Sequence, residues 1–94
     1  MSRIYVGAIG VKITLDALVT LSSTAMVIIH YRSKEGEVRG SFPATLESLR
    51  YISYTTTSTL DLPVPGEIYY QGEVEMVGYK GKTEIRKIRV YPSL

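Results

Sequence analysis

The feature that most constrains the fold is a β-hairpin predicted in the last third of the chain. Pro65-Gly66 predicts a tight entry turn, and glycines at positions 78 and 81 predict the hairpin turn. Between them, apolar and polar side chains alternate over residues 68–76, as they do in a half-buried strand. One face of that strand carries Ile68, Tyr70, Gly72, Val74 and Met76.

Residues 84–91 form the returning strand of this hairpin. Ile88 and Val90 share one face of it, while Ile85 falls on the other. This change of parity predicts a β-bulge near Arg86-Lys87.

Further strand signals occupy the rest of the chain. Residues 11–16 alternate, and residues 49–57 are β-prone. Residues 26–31 are dense in β-branched side chains and predict a strand that is buried on both faces or central in its sheet. Pro43 places the strand over 38–45 at a sheet edge, because proline cannot donate a ladder hydrogen bond. Thr59 to Gly66 reads as a crossing between sheets. With no convincing helical period, about seven short strands predict an all-β, antiparallel β-sandwich; a small closed barrel is the rival.

Composition limits the size and the class of the protein. Ninety-four residues, 45% of them hydrophobic, allow one domain, which we assign to residues 1–94. The net charge of +2 gives no argument for nucleic acid. The cluster of Arg86, Lys87 and Arg89, with Lys80 and Lys82 nearby, favours a solvated edge strand over a phosphate-binding role. The absence of cysteine excludes disulfides and cysteine metal sites.

No membrane or targeting segment is predicted. The apolar stretch from Ala17 to Tyr31 is shorter than the roughly 20 residues that span a bilayer, and residues 22–24 interrupt it with hydroxyl side chains. The start of the chain lacks the pattern of a signal peptide.

The sequence offers few groups for catalysis. His30 is the only histidine, and a lone histidine in an apolar strand is more often structural than catalytic. Glu73 and Glu75 share a strand face, where lysines or arginines of the final strand can pair with them. The glycines lack the helix and lysine of a phosphate loop. We therefore predict no enzyme activity, no cofactor, no metal and no small-molecule substrate.

Tyrosine is unusually frequent, with eight residues against one phenylalanine and no tryptophan. Tyr70 and Tyr31 are predicted to lie in the core with a hydroxyl reaching the rim. Tyr69 falls on the opposite strand face and Tyr79 at a loop tip, where each is either an interface residue or simply a side chain that sheets favour. Stacking of single-stranded nucleic acid is a third option, which needs a basic groove.

Several segments occur in an order that resembles a known family. They are residues 28–32, 34–36, 43–45, 54–56, 60–62, 65–66, 71–75 and 78–79. This succession of turns and strand positions resembles the small immunoglobulin-like proteins encoded by tailed bacteriophages. The resemblance implies an immunoglobulin-like β-sandwich and a component of the virion, in the tail, baseplate, neck or capsid surface, that is made in the host cytoplasm.

The resemblance implies a protein that docks onto other virion structural proteins, with self-association into a homo-oligomer open, and without nucleic acid or membrane as partners. The candidate contact residues are Ile4, Tyr5, Tyr69, Tyr79 and Tyr91. The strand-like residues 4–6 are further expected to pair with a partner's sheet edge. The alternative is a carbohydrate- or host-surface-binding module that uses exposed tyrosines, and a small hydrolase is the third hypothesis.

Overall fold

The chain forms two β-sheets in a computed structural model that describes residues 3–36, 38–58 and 61–92. In chain order the strands are β1 (Ile4–Tyr5), β2 (Lys12–Asp16), β3 (Met26–Ser33), β4 (Arg39–Pro43), β5 (Thr45–Leu46), β6 (Tyr51–Thr55), β7 (Gly66–Met76) and β8 (Tyr79–Tyr91). A five-stranded sheet has the order β1-β8-β7-β3-β4, and a three-stranded sheet has the order β2-β6-β5. The predicted all-β class is therefore confirmed.

Some predicted ranges extend beyond the described residues. Met1, Ser2, Ser93 and Leu94 of the predicted domain 1–94 lie outside them, as does Glu37. Thr59 and Leu60 of the predicted crossing are also outside. Within the described ranges there is no helix, and so none long and apolar enough to cross a membrane.

The core lies between the inner faces of the two sheets. The largest fully buried apolar side chains come from both sheets and from the loop before β7: Ile13, Leu15, Ile29, Ile52, Leu62, Ile68, Tyr70, Val74 and Val90. Burying a side chain of this size contributes about 1.5–3 kcal/mol, so this layer supplies most of the force that holds the sheets together. The molecule measures 47 × 24 × 22 Å.

The alternation predicted in β7 is confirmed. Ile68, Tyr70, Gly72 and Val74 are buried, whereas the residues between them face the outer side of the five-stranded sheet. β3 is central, between β7 and β4, and β4 with Pro43 is an edge strand, also as predicted. β3 is not buried on both faces, because His30 and Met26 are exposed on its outer side.

Three details of the predicted topology are wrong. The described residues form eight strands rather than about seven, because the predicted strand 38–45 is divided at Ala44 between the two sheets as β4 and β5. β1 pairs in parallel with β8, so the sheets are not purely antiparallel. The hairpin turn lies at Val77-Gly78, since Met76 pairs with Tyr79.

The predicted bulge exists but lies nearer to the turn than Arg86-Lys87. The register shifts where Gln71 opposes Ile85 and Glu73 opposes Lys82, so the extra residue of β8 falls at Thr83-Glu84. The Thr83 hydroxyl accepts a hydrogen bond from the Gly72 N–H at 2.7 Å and donates one to the Glu84 carbonyl at 2.8 Å. The Thr83 side chain is buried. The change in which residues of β8 face the core therefore begins at Thr83.

Candidate interaction surface

Three of the five predicted contact residues meet where β1 pairs with β8. Ile4 lies opposite Val90, and Tyr5 lies opposite Tyr91. Tyr5 is 45% exposed and its ring centroid is 6.2 Å from that of Tyr91. Ile4 is half-buried and packs against the core, so it supports the two tyrosines from beneath. Residues 4–6 were expected to pair with the sheet edge of a partner. In the structure, one side of Ile4–Tyr5 is already paired with β8 of the same chain.

Two arginines complete this group. The guanidinium carbons of Arg3 and Arg89 lie 4.9 Å and 5.7 Å from the centre of the Tyr91 ring, within cation–π distance. We call Arg3, Tyr5, Arg89 and Tyr91 the terminal aromatic cluster. It combines exposed aromatic area with positive charge beside an edge strand.

Tyr69 lies elsewhere on the outer face, in the middle of β7. Its hydroxyl donates a long hydrogen bond of 3.5 Å to Glu67, and the Arg32 guanidinium lies 5.7 Å from its ring. The ring is half-buried beside a shallow depression of about 480 Å³ that His30, Arg39 and Ile85 also line. Tyr69 is thus separate from the terminal aromatic cluster.

Tyr79 does not occupy a loop tip, so that part of the prediction is wrong. It is the first residue of β8, and its half-buried ring packs against the core and covers Gly81. The turn that precedes it exposes Val77 instead. Its role in an interface stays a prediction that this placement does not favour.

Of the two tyrosines predicted to lie in the core with a hydroxyl at the rim, Tyr70 differs from the prediction at its hydroxyl. Tyr70 is fully buried and Tyr31 is half-buried, stacked on Phe42 with ring centroids 4.6 Å apart. The Tyr70 hydroxyl does not reach the rim: it is buried and has no hydrogen-bond partner in the described chain. Burial, with smaller contributions from Tyr31 and Asp61, raises the pKa of Tyr70 far above its usual range.

The groups considered for catalysis lie on the open outer face. His30 Nε2 is 3.3 Å from Glu73 Oε2, and both side chains are well exposed. Glu73 lies opposite Lys82 and Glu75 opposite Lys80, in the cross-strand arrangement that the sequence predicts. Among the residues that the structure describes, no three histidine or carboxylate side chains gather as metal ligands would.

A basic groove between β2 and β8 was missed by sequence reasoning. Its volume is about 420 Å³, and its lining includes Arg3, Lys12, Arg86, Lys87, Arg89 and Tyr91, without a carboxylate. The cluster of Arg86, Lys87 and Arg89 was visible in the sequence, where a solvated edge strand was preferred to a phosphate-binding role. Nothing in the sequence indicated that Arg3 and Lys12 would join them, since only the folded topology brings these segments together.

Two side chains of β8 also bind the open edge of β2, one at the groove and one beside it. Arg86 Nη1 donates a hydrogen bond to the Thr14 carbonyl at 3.2 Å, and Glu84 accepts one from the Asp16 N–H at 2.8 Å. Glu84 belongs to the bulge and Arg86 follows it. These contacts occupy backbone groups that an edge strand would otherwise offer to another chain.

Comparison with known proteins does not identify a family. No family model, no curated protein and no solved structure gives a significant match to this chain. The likeness to phage immunoglobulin-like proteins therefore remains a prediction from the sequence.

Proposed function

We propose that this chain is an immunoglobulin-like β-sandwich that acts as a structural or accessory protein of a bacteriophage virion. It docks onto other virion subunits by protein–protein contacts and performs no catalysis. Its place in the particle is the tail, baseplate, neck or capsid surface, after synthesis in the host cytoplasm.

The strand order supports the immunoglobulin-like assignment. Such sandwiches place strands B, D and E in one sheet and C, C′, F and G in the other. With the eight strands lettered A, B, C, C′, D, E, F and G along the chain, β2, β5 and β6 form one sheet and β3, β4, β7 and β8 the other. Only β1 departs from this scheme, because it pairs with β8 rather than with β2.

The terminal aromatic cluster is the observation that carries the docking function. Tyrosine and arginine are the residue types enriched at the centres of protein interfaces, because they combine a large rigid area with polar groups. Here Tyr5 and Arg3 are exposed beside the edge strand β1. The virion as the place of docking is supported by the succession of sequence segments described above.

Incorporation into particles tests the proposal. Virions of the phage that carries the gene are purified and the protein is quantified by mass spectrometry, with a Tyr5→Ala/Tyr91→Ala variant supplied in place of the natural chain. Loss of an interface hot spot costs about 2 kcal/mol or more, so we expect incorporation to fall at least tenfold at limiting protein.

The matched control is Tyr51→Ala, which removes a similarly exposed tyrosine (42%) from the three-stranded sheet. It is expected to be incorporated like the natural chain, and thermal unfolding checks that each variant is folded. Absence of the natural protein from purified virions would refute the virion function. Full incorporation of the folded double variant would refute the role of the cluster.

A second candidate function, carbohydrate or host-surface binding, is favoured by the depression beside Tyr69. His30, Arg32 and Gln71 line it together with that ring, which gives polar groups next to an aromatic surface. A glycan array tests it: binding that disappears in Tyr69→Ala but persists in Tyr51→Ala would support it. If the natural protein binds no glycan on the array, the carbohydrate-binding function is refuted.

A further inference from the structure

We infer that the basic groove between β2 and β8 binds an extended acidic segment of a partner protein. The inference rests on the proposed docking function and names the chemistry of the partner. The groove shares Arg3, Arg89 and Tyr91 with the terminal aromatic cluster and extends it along β8 and β2 to Arg86, Lys87 and Lys12.

The groove carries more positive charge than the net charge of the whole chain indicates. Five of the eleven lysines and arginines line it, although the net charge is only +2. Two of the five are compensated, since Lys12 pairs with Glu47 and Lys87 pairs with Glu67. Arg3, Arg86 and Arg89 have no carboxylate within ion-pair distance among the described residues.

Guanidinium groups favour carboxylates as ligands. The planar fork of an arginine binds both oxygens of a carboxylate, which gives shorter and stronger hydrogen bonds than neutral pairs. Near a protein surface, where the effective dielectric constant is lower than in bulk water, this attraction between opposite charges is stronger than it is in free solution. Three uncompensated arginines therefore select an anionic occupant.

The surroundings of the groove favour a peptide over nucleic acid. Proteins that bind single strands offer open aromatic rings for the bases to stack on. The Tyr91 ring is already contacted by two guanidinium groups and by Tyr5. Tyr91 is the one aromatic ring in the described lining of the groove, so an occupant gains mainly from charge.

The occupant is recognised through its side chains rather than as an added strand. The Thr14 carbonyl and the Asp16 N–H of the β2 edge already bond to Arg86 and Glu84. A peptide that added a strand here would first have to displace both.

Fluorescence anisotropy with a labelled probe tests the inference on the purified full chain. The probe is a peptide of about eight residues with alternating glutamate and serine, which spans roughly 26 Å when extended. The comparison probes are the same peptide with glutamine for glutamate, and a thymidine oligonucleotide of matching length. At about 50 mM salt, where screening is weak, we expect only the acidic peptide to bind well.

Two double variants of equal charge locate the site. Arg86→Ala/Arg89→Ala is expected to weaken acidic-peptide binding at least tenfold, which corresponds to about 1.4 kcal/mol. Lys80→Ala/Lys82→Ala removes the same charge from the other end of β8 and is expected to weaken it less than threefold. Because Arg86 also bonds to β2, amide chemical-shift changes in the natural protein give an independent location, expected in β2 and the second half of β8.

Each outcome decides the inference. It is overturned if the acidic peptide binds no better than the neutral one, if the oligonucleotide binds more tightly with the same arginine dependence, or if both double variants lose binding equally. Virion incorporation is measured separately with the tyrosine variants. If the protein enters virions but does not bind the acidic peptide, the proposed function stands and this inference is refuted. If it binds the peptide but is absent from virions, the virion function is refuted and the groove still binds acidic segments.

Discussion

At the residue scale, two tyrosine hydroxyls in the same core region have opposite energetic roles. The Tyr54 hydroxyl donates to Asp61 Oδ2 at 2.8 Å, and its ring stacks on Phe42 with centroids 4.3 Å apart. The Tyr70 hydroxyl is buried without a partner in the described residues. A buried polar group that makes no hydrogen bond has lost its water contacts without replacement.

Removing each hydroxyl should therefore change stability in opposite directions. Tyr70→Phe is expected to raise the free energy of unfolding by about 1 kcal/mol, because it removes an unsatisfied group. Tyr54→Phe is expected to lower it by about 2 kcal/mol, because it removes a hydrogen bond to a charged acceptor. Urea unfolding of the two variants measures both values. A Tyr70→Phe protein as destabilised as Tyr54→Phe would show that the buried hydroxyl has a partner in solution.

At the element scale, the bulge of β8 depends on one hydroxyl. Thr83 is 4% exposed and its Oγ1 satisfies the buried Gly72 N–H. Thr83→Val keeps the shape but leaves that N–H unpaired, so we expect a loss of about 1–3 kcal/mol in the free energy of unfolding. Thr83→Ser keeps the hydroxyl and loses only a methyl group, at about 1 kcal/mol. Equal losses in the two variants, measured by urea unfolding, would contradict a role for the hydrogen bond.

The same elements show what the sequence can predict. β7 could be predicted because residues 68–76 repeat a two-residue period with one buried face. For β1, residues 4–6 were recognised as strand-like, but their pairing with β8 was not, since two residues have no period and the parallel partner lies more than eighty positions away. The bulge was detected from the parity of Ile85 and Ile88, but its position depends on the Thr83 hydroxyl bond, which parity does not reveal.

The candidate surface could likewise be predicted in part from the sequence. Tyr5 and Tyr91 were nominated as single exposed aromatics, and the fold brings them together. The basic groove needs Arg3, β2 and β8 side by side, and that proximity comes from tertiary packing alone. Residue types could thus be predicted from the sequence, whereas the surface they form could not.

At the scale of the whole molecule, four carboxylates connect separate segments. A hydrogen bond from Arg50 lowers the pKa of Asp16, one from Lys12 lowers the pKa of Glu47, and one from Lys87 lowers the pKa of Glu67. For Asp61, burial alone would raise the pKa, but hydrogen bonds from Thr57, Tyr54 and Ser58 outweigh it and the pKa is lowered.

These shifts set the direction of the acid response. A carboxyl group whose pKa is lower in the folded than in the unfolded protein favours folding above its unfolded value, about 4, and this contribution is lost as the pH falls through the folded value. We therefore expect the free energy of unfolding to be constant near neutral pH and to decrease below about pH 4. Protonation of all nine acids also leaves eleven lysines and arginines and one histidine uncompensated, which adds repulsion.

Asp61→Asn isolates one part of this response. Its amide oxygen can still accept hydrogen bonds from the backbone but cannot titrate, so its stability should be lower at neutral pH and should decrease less steeply below pH 4 than that of the natural protein. Glu35→Gln, in the exposed turn after β3, is the matched control and should follow the natural curve. Urea unfolding between about pH 7 and pH 2.5 measures these curves. If the Asp61→Asn curve runs parallel to the natural one, the crossing before β7 does not contribute to acid unfolding, and the loss must come from the three surface ion pairs and from repulsion between the remaining positive charges.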